Sequence, residues 1–193
     1  MFKNLDIPFN DGVVEQKAAE VIRAHSLETG WVPCLPLPIE SIIEHTLDLF
    51  IDYDDISEQG RRILAAISPS KRIITLNQAH ITEFEKCPGM QRFTLAHEVG
   101  HWKLHVDRAA VDHPALLDIP ATLVCEEGDD GPCEQVANRF AAFLLMPKDL
   151  LSVVLADADV STQAGFREVA DRIGVSYQAL HYRLKKLGVH HTA

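Results

Sequence analysis

Apolar residues recur at helical spacing near the start of the chain. Val14, Ala18, Val21 and Ile22 share one face of residues 12–26, which predicts an amphipathic helix. Gly30 to Pro38 carries three prolines and reads as an extended connector. A second helix is expected from Pro38, with Ile39, Ile42, Ile43 and Leu47 facing inward. Residues 47–53 partly alternate and predict a strand. Residues 62–67 and 72–76 are strand-like, and Ser68-Pro-Ser-Lys71 between them has turn chemistry, so a hairpin is expected. Residues 90–105 and 134–146 return to helical periodicity, the second segment stopped by Pro147. Between them, residues 106–133 lack a regular pattern, with at most a short strand near Thr122-Leu-Val124. This stretch holds seven acidic residues and only Arg108 on the basic side, as a solvated loop or as a rim that attracts a basic substrate.

Composition narrows the class. The chain has 193 residues, 47% hydrophobic and 24% charged, which is ordinary for a globular protein. No apolar run approaches the ~20 residues needed to span a bilayer. The first ten residues lack the apolar core of a secretory signal, so a cytoplasmic location is expected. The formal charge is −10, which argues against a surface built as a whole for nucleic acid. The charge is uneven, however. Residues 161–193 hold five basic and two acidic side chains, a net of +3, which places a boundary near 150–160. Two units are therefore expected, 1–150 and 151–193. The cysteines Cys34, Cys87, Cys125 and Cys133 form no C-x-x-C pair and read as free thiols.

The most informative motif is His97-Glu-Val-Gly-His101, an H-E-x-x-H pattern inside an apolar helix. Four helical residues advance about 400° and rise about 6 Å, so both imidazoles leave one face a turn apart. Two neutral imidazole nitrogens can then reach one Zn²⁺ at about 2.0–2.1 Å. Glu98, beside the first ligand, is the candidate general base and acid. A catalytic zinc needs a third protein ligand and an open position. His105 continues the same face but overshoots the metal, and reads better as a neighbour of the ligands, a substrate-facing group or a packed residue. Glu134 opens the later helix, with the small residues Ala137 and Ala141 allowing a close approach. Asn138, one turn on, is placed to hydrogen-bond a ligating histidine. The rivals Asp107, Asp112, Glu126 and Glu127 lie in the irregular stretch, and a helix holds a ligand more firmly than a loop. Mn²⁺ or Fe²⁺ also suits two histidines and a glutamate.

Two segments carry a family resemblance. Gln91-Arg-Phe-Thr-Leu-Ala-His-Glu-Val-Gly-His101 with His105, and Glu134-Gln-Val-Ala-Asn-Arg-Phe-Ala-Ala-Phe-Leu-Leu-Met-Pro147, resemble the ImmA/IrrE-type zinc metallopeptidases. The order of the preceding elements is similar too, so the resemblance spans about residues 12–187, with little family pattern in 106–133. It implies an α+β, zincin-like fold with a small, mostly antiparallel sheet, a metal-binding helix, a glutamate helix and a C-terminal helix-turn-helix-like segment. It implies His97, His101 and Glu134 as metal ligands and Glu98 as catalytic base. It also implies a specific protein substrate, a helix-turn-helix transcriptional repressor.

Residues 166–188 have helix-turn-helix spacing, with Gly174 at the turn and Ser176 as the second N-cap. Arg183, Lys185 and Lys186 are candidate phosphate contacts. The competing expectation is a helical pair packed on the rest of the fold. Tyr177, His181 and Tyr182 would stabilise an oxyanion if this segment covers the site. The sequence therefore predicts a zinc endopeptidase whose substrate lies extended along an edge of the 62–76 hairpin. The alternatives are a non-catalytic, zinc-containing regulator that binds a partner or DNA, and the toxin of a toxin–antitoxin pair. Oligomeric state is left open, and no membrane association is expected.

Overall fold

The computed structural model describes residues 10–106, 111, 123–126 and 131–189. Helix α1, Asp11–Thr29, begins where the Asn10 side chain accepts from the Val13 N–H at 2.9 Å. It ends at Gly30, whose φ of 72° is the left-handed conformation that glycine adopts without strain. Val14, Ala18, Val21 and Ile22 are buried, as their spacing predicts. The expected second helix is a single α-turn, α2 at Ile39–Ser41, that widens into a π-turn over Ile42–Thr46. Its four predicted inward residues are all buried. Asp48, with φ of 53°, then turns the chain into strand β1, Phe50–Asp54.

The hairpin forms as β2, Ile63–Ser68, and β3, Ile73–Asn77. A further strand, β4 at Leu123–Glu126, falls where the sequence allowed one. The sheet order is β1-β3-β2-β4, with β1 parallel to β3 and both other pairings antiparallel. This corrects the expectation for the hairpin. β3 pairs with β1 and β2 pairs with β4, so both hairpin strands are interior and their backbone groups are taken. Among the described residues the edges belong to β1 and β4, and the hairpin strands offer no free edge to an extended substrate.

The remaining elements are helical. After the short α3, Ile81–Lys86, helix α4 runs from Pro88 to Leu104 and α5 from Pro132 to Leu145. Both begin with proline at the first turn, where the missing N–H is no loss. Next come α6 at Lys148–Ala156, α7 at Gln163–Ile173 and α8 at Tyr177–Lys186. Gly174 (φ 69°) makes the turn between α7 and α8, and Ser176 caps α8 by accepting from Ala179 N–H. The architecture is α+β, and among the described residues no helix is long and apolar enough to cross a membrane.

Two contacts fix how the helices meet. A Cβ at Gly100 would stand 3.1 Å from Ala137 Cα and 3.3 Å from Phe140 Cβ, so α4 and α5 touch almost backbone to backbone. Two turns earlier in α4, Arg92 Nε donates to Gly174 O at 2.9 Å, tying it to the α7–α8 turn. The hydrophobic core is continuous from α1 through α4 and α5 to α7 and α8.

One predicted cation contact is overturned. Arg183 is 2% exposed, donates to Met146 O at 3.0 Å and pairs with Glu15. It links α8 to the end of α5 and to α1 and cannot meet a phosphate. Lys186 is exposed but pairs with Asp11 at 3.3 Å.

Candidate metal centre

The close approach of α4 and α5 brings three donors together. His97 and His101 leave α4 one turn apart, and Glu134 stands in the first turn of α5. His97 Nε2 lies 2.9 Å from His101 Nε2 and 2.9 Å from Glu134 Oε2. His101 Nε2 lies 3.1 Å from Glu134 Oε1. These three residues are buried and could hold a metal ion.

The tautomers make the fit specific. His97 Nδ1 faces Asn138 Oδ1, an acceptor, at 2.9 Å. Its N–H is therefore on Nδ1 and its Nε2 carries a lone pair. His101 Nδ1 faces His105 Nδ1 at 2.8 Å; with His101 as donor, its Nε2 also carries a lone pair. Two lone pairs and a carboxylate converge, and a cation reconciles them. Donors bonded tetrahedrally at about 2.0–2.1 Å would stand roughly 3.3 Å apart. The observed 2.9–3.1 Å needs only a slight opening of the triangle. The residues present fit a tetrahedral ion with one position left for solvent or substrate.

Glu98 is fully buried, and neither carboxylate oxygen has a hydrogen-bond partner among the described residues. Burial pushes its carboxyl up to about 8, with His97 opposing and Glu134 adding to the rise. Glu134 behaves oppositely. Burial would raise it, but the adjoining His101 and His97 imidazoles outweigh that and hold it at about 2. Burial lowers His101, with Glu134 opposing, and burial followed by the His101 charge brings His105 down to about 4.

A stability prediction follows for protein stripped of metal. The folded value for Glu98, about 8, lies above its ordinary 4.5, so folding favours the neutral acid. Its contribution is full below the ordinary value and is lost as pH rises through the folded one. Glu98→Gln has no such loss. Stripped Glu98→Gln protein should melt above stripped wild type, with a gap that widens from about pH 5 to pH 9. A gap that stays constant across that range in thermal melts would contradict the buried acid.

The other expected site residues are distributed as follows. Asn138 holds His97, as its spacing predicts. His105 is not among the three donors; it backs His101, and its Nε2 has no partner among the described residues. Tyr177 packs on Phe166 at a ring separation of 4.6 Å, and His181 lies 6.5 Å from the same ring. Tyr182 lines a cavity together with Asn138, whose Oδ1 meets His97 Nδ1. Of the rival ligands, Asp107, Asp112 and Glu127 lie outside the described residues, as does most of the acidic stretch; Glu126 is described only as β4 backbone. Sequence reasoning missed Gly100. Its signal was a glycine inside an otherwise apolar helix, which marks a close backbone approach.

No curated protein matches the chain at a significant level. A solved structure, a Mycobacterium tuberculosis transcriptional regulator, superposes with a TM-score of 0.52 at 14% identity, over 91% of this chain and 48% of that one. The likeness is one of fold, and this chain spans about half of that protein's length. Residues 48–185, which include α4 and α5, match the Peptidase M78 model, described as the IrrE N-terminal-like domain. The match covers more than half of the sequence, and the chain belongs to the IrrE N-terminal-like, Peptidase M78 family.

Proposed function

We propose that this protein is a zinc-dependent endopeptidase that cleaves a specific protein, a helix-turn-helix transcriptional repressor. The observation that carries the reading is a buried carboxylate without partners among the described residues, Glu98, directly beside three converging donors. His97, His101 and Glu134 would hold the ion, and Zn²⁺ suits two imidazoles and a carboxylate, with Mn²⁺ or Fe²⁺ as substitutes. When bound, the ion polarises the scissile carbonyl and acidifies a water molecule. Glu98 takes a proton from the attacking water at a carboxylate oxygen. As the water oxygen bonds to the carbonyl carbon and the C–N bond breaks, Glu98 delivers that proton to the leaving nitrogen. No covalent bond to the enzyme forms. Asn138 sets the His97 tautomer, and with His101 donating to His105, Nε2 of each ligand stays deprotonated.

Residues 1–150 serve as the peptidase domain in this reading. Residues 151–193 form a helix-turn-helix-like segment that packs on it rather than reading DNA. Burial of Arg183 and pairing of Lys186 with Asp11 support the packed role. The repressor substrate rests on the family resemblance, and a transcriptional regulator as structural neighbour is compatible with it. The protein acts in the cytoplasm, with the repressor as its partner. The test is to mix the zinc-loaded protein with the helix-turn-helix repressors of its host and follow them by mass spectrometry. One repressor should be cut at one bond, and a chelator should stop the cut. Intact repressors that bind without being cut would favour the non-catalytic regulator.

A further inference from the structure

A cavity of about 660 Å³ lies between α5 and α8, within the roughly 300–1,000 Å³ usual for small-molecule sites. Its wall includes Asn138, Arg139, Ala142, Ala179, Tyr182 and Lys186. None of the three metal donors nor Glu98 lines it. We propose that this cavity binds a small organic anion with an apolar body, and that its occupant is sensed at the metal centre through Asn138.

The charge balance selects the ligand. Arg139 and Lys186 converge on one carboxylate, Asp11, at 2.8 and 3.3 Å. Two cations share one anion, so a positive charge is left over in a chain whose formal charge is −10. A carboxylate or sulfonate at this end satisfies that surplus. The body of the ligand is selected by the rest of the wall. Ala142 and Ala179 are small where larger residues would fill the space, and the rings of Phe93 and Tyr182 offer apolar surface. Along α8 the wall runs from Ser176 to Lys186, roughly 15 Å at the helical rise, enough for a bicyclic or medium-chain anion.

The link to the metal centre is a single side chain. Asn138 Oδ1 accepts from His97 Nδ1 at 2.9 Å, and the same Asn138 is exposed to the cavity. An occupant that contacts this amide alters the hydrogen bond that orients His97. Binding free energies are reciprocal, so the anion and the metal must each change the other's affinity by the same factor.

The test uses 1-anilinonaphthalene-8-sulfonate, an aromatic monoanion that fluoresces in apolar sites, with the full chain. Binding is read in both metal-loaded and chelator-stripped protein, so the result stands apart from peptidase activity. The probe should saturate at one site per chain. Lys186→Glu should weaken it by about tenfold or more, and Ala179→Trp should abolish it by filling the cavity. Both variants should keep the wild-type circular dichroism. Lys186 is exposed, so its variant remains informative if Ala179→Trp misfolds. Saturating probe should shift zinc affinity by at least about fivefold, the low end of ordinary coupling. No saturable binding, or equal binding to wild type and Lys186→Glu, would overturn the site. Saturable binding with unchanged zinc affinity would overturn the link through Asn138.

Discussion

Replacing Glu98 by Gln should lower peptide hydrolysis by about 10²–10⁴-fold, the usual worth of a positioned proton-transfer group. Metal content should stay at one ion per chain. The two outcomes separate because of where Glu98 sits. It is fully buried, so an isosteric amide leaves the packing of α4 unchanged. Its oxygens make no hydrogen bond to the described residues, so no structural contact is broken. What is lost is the ability to accept a proton, and that ability is what burial beside a metal centre tunes. A carboxyl pushed up to about 8 in the metal-free site is a stronger base than an exposed glutamate. A bound cation would pull that value down toward neutrality, where proton transfer in both directions is fastest. The assay is initial cleavage rate alongside metal analysis of the same samples. Full activity in Glu98→Gln would remove Glu98 from the mechanism and favour a non-catalytic regulator. Loss of the metal together with activity would make Glu98 a ligand instead of a base.

What the sequence could reveal about this site follows from the range of the rules involved. Helical spacing is local, so the pairing of His97 with His101 and of Glu134 with Asn138 was legible in the residue pattern itself. The approach of α4 to α5 was legible through Ala137 and Ala141, although its closest point is Gly100. Strand neighbours are chosen over long separations. The hairpin at 62–76 was therefore visible, while its flanking by β1 and β4 was not. Arg183 shows the same limit for charge. On a helix with Lys185 and Lys186 it looks like a phosphate contact. Its true partners, Met146 O and Glu15, lie 37 and 168 residues away. His105 was ambiguous for a different reason: spacing placed it on the ligand face but could not show that its Nδ1 meets His101 Nδ1.

Replacing Glu134 by Ala should remove the metal from the purified protein. Losing the partner of a ligand, as in Asn138→Ala, typically costs about 10–100-fold in metal affinity, so losing the ligand itself should cost more than about 100-fold. Three physical effects add in the same direction. The variant loses one of three donor atoms that stand within 2.9–3.1 Å of each other. It also loses the only negative charge among those donors, leaving two neutral imidazoles to compensate a divalent ion in a buried site. Finally, with only two donors the bound ion orders the rings less firmly, and binding recovers less of the freedom it must remove. The fold should survive at neutral pH, because the core around the site is apolar and continuous. In stripped wild type, Glu134 is held at about 2, below its ordinary 4.5, so its stabilising effect is present above 4.5 and lost as pH falls toward 2. Stripped Glu134→Ala should therefore lack that acid-labile part of the stability curve. A chelator competition titration measures the affinities, and melts between pH 7 and pH 3 measure the second effect. Metal held at wild-type affinity by Glu134→Ala would sink the triad and move the third donor to the acidic residues between Val106 and Pro132.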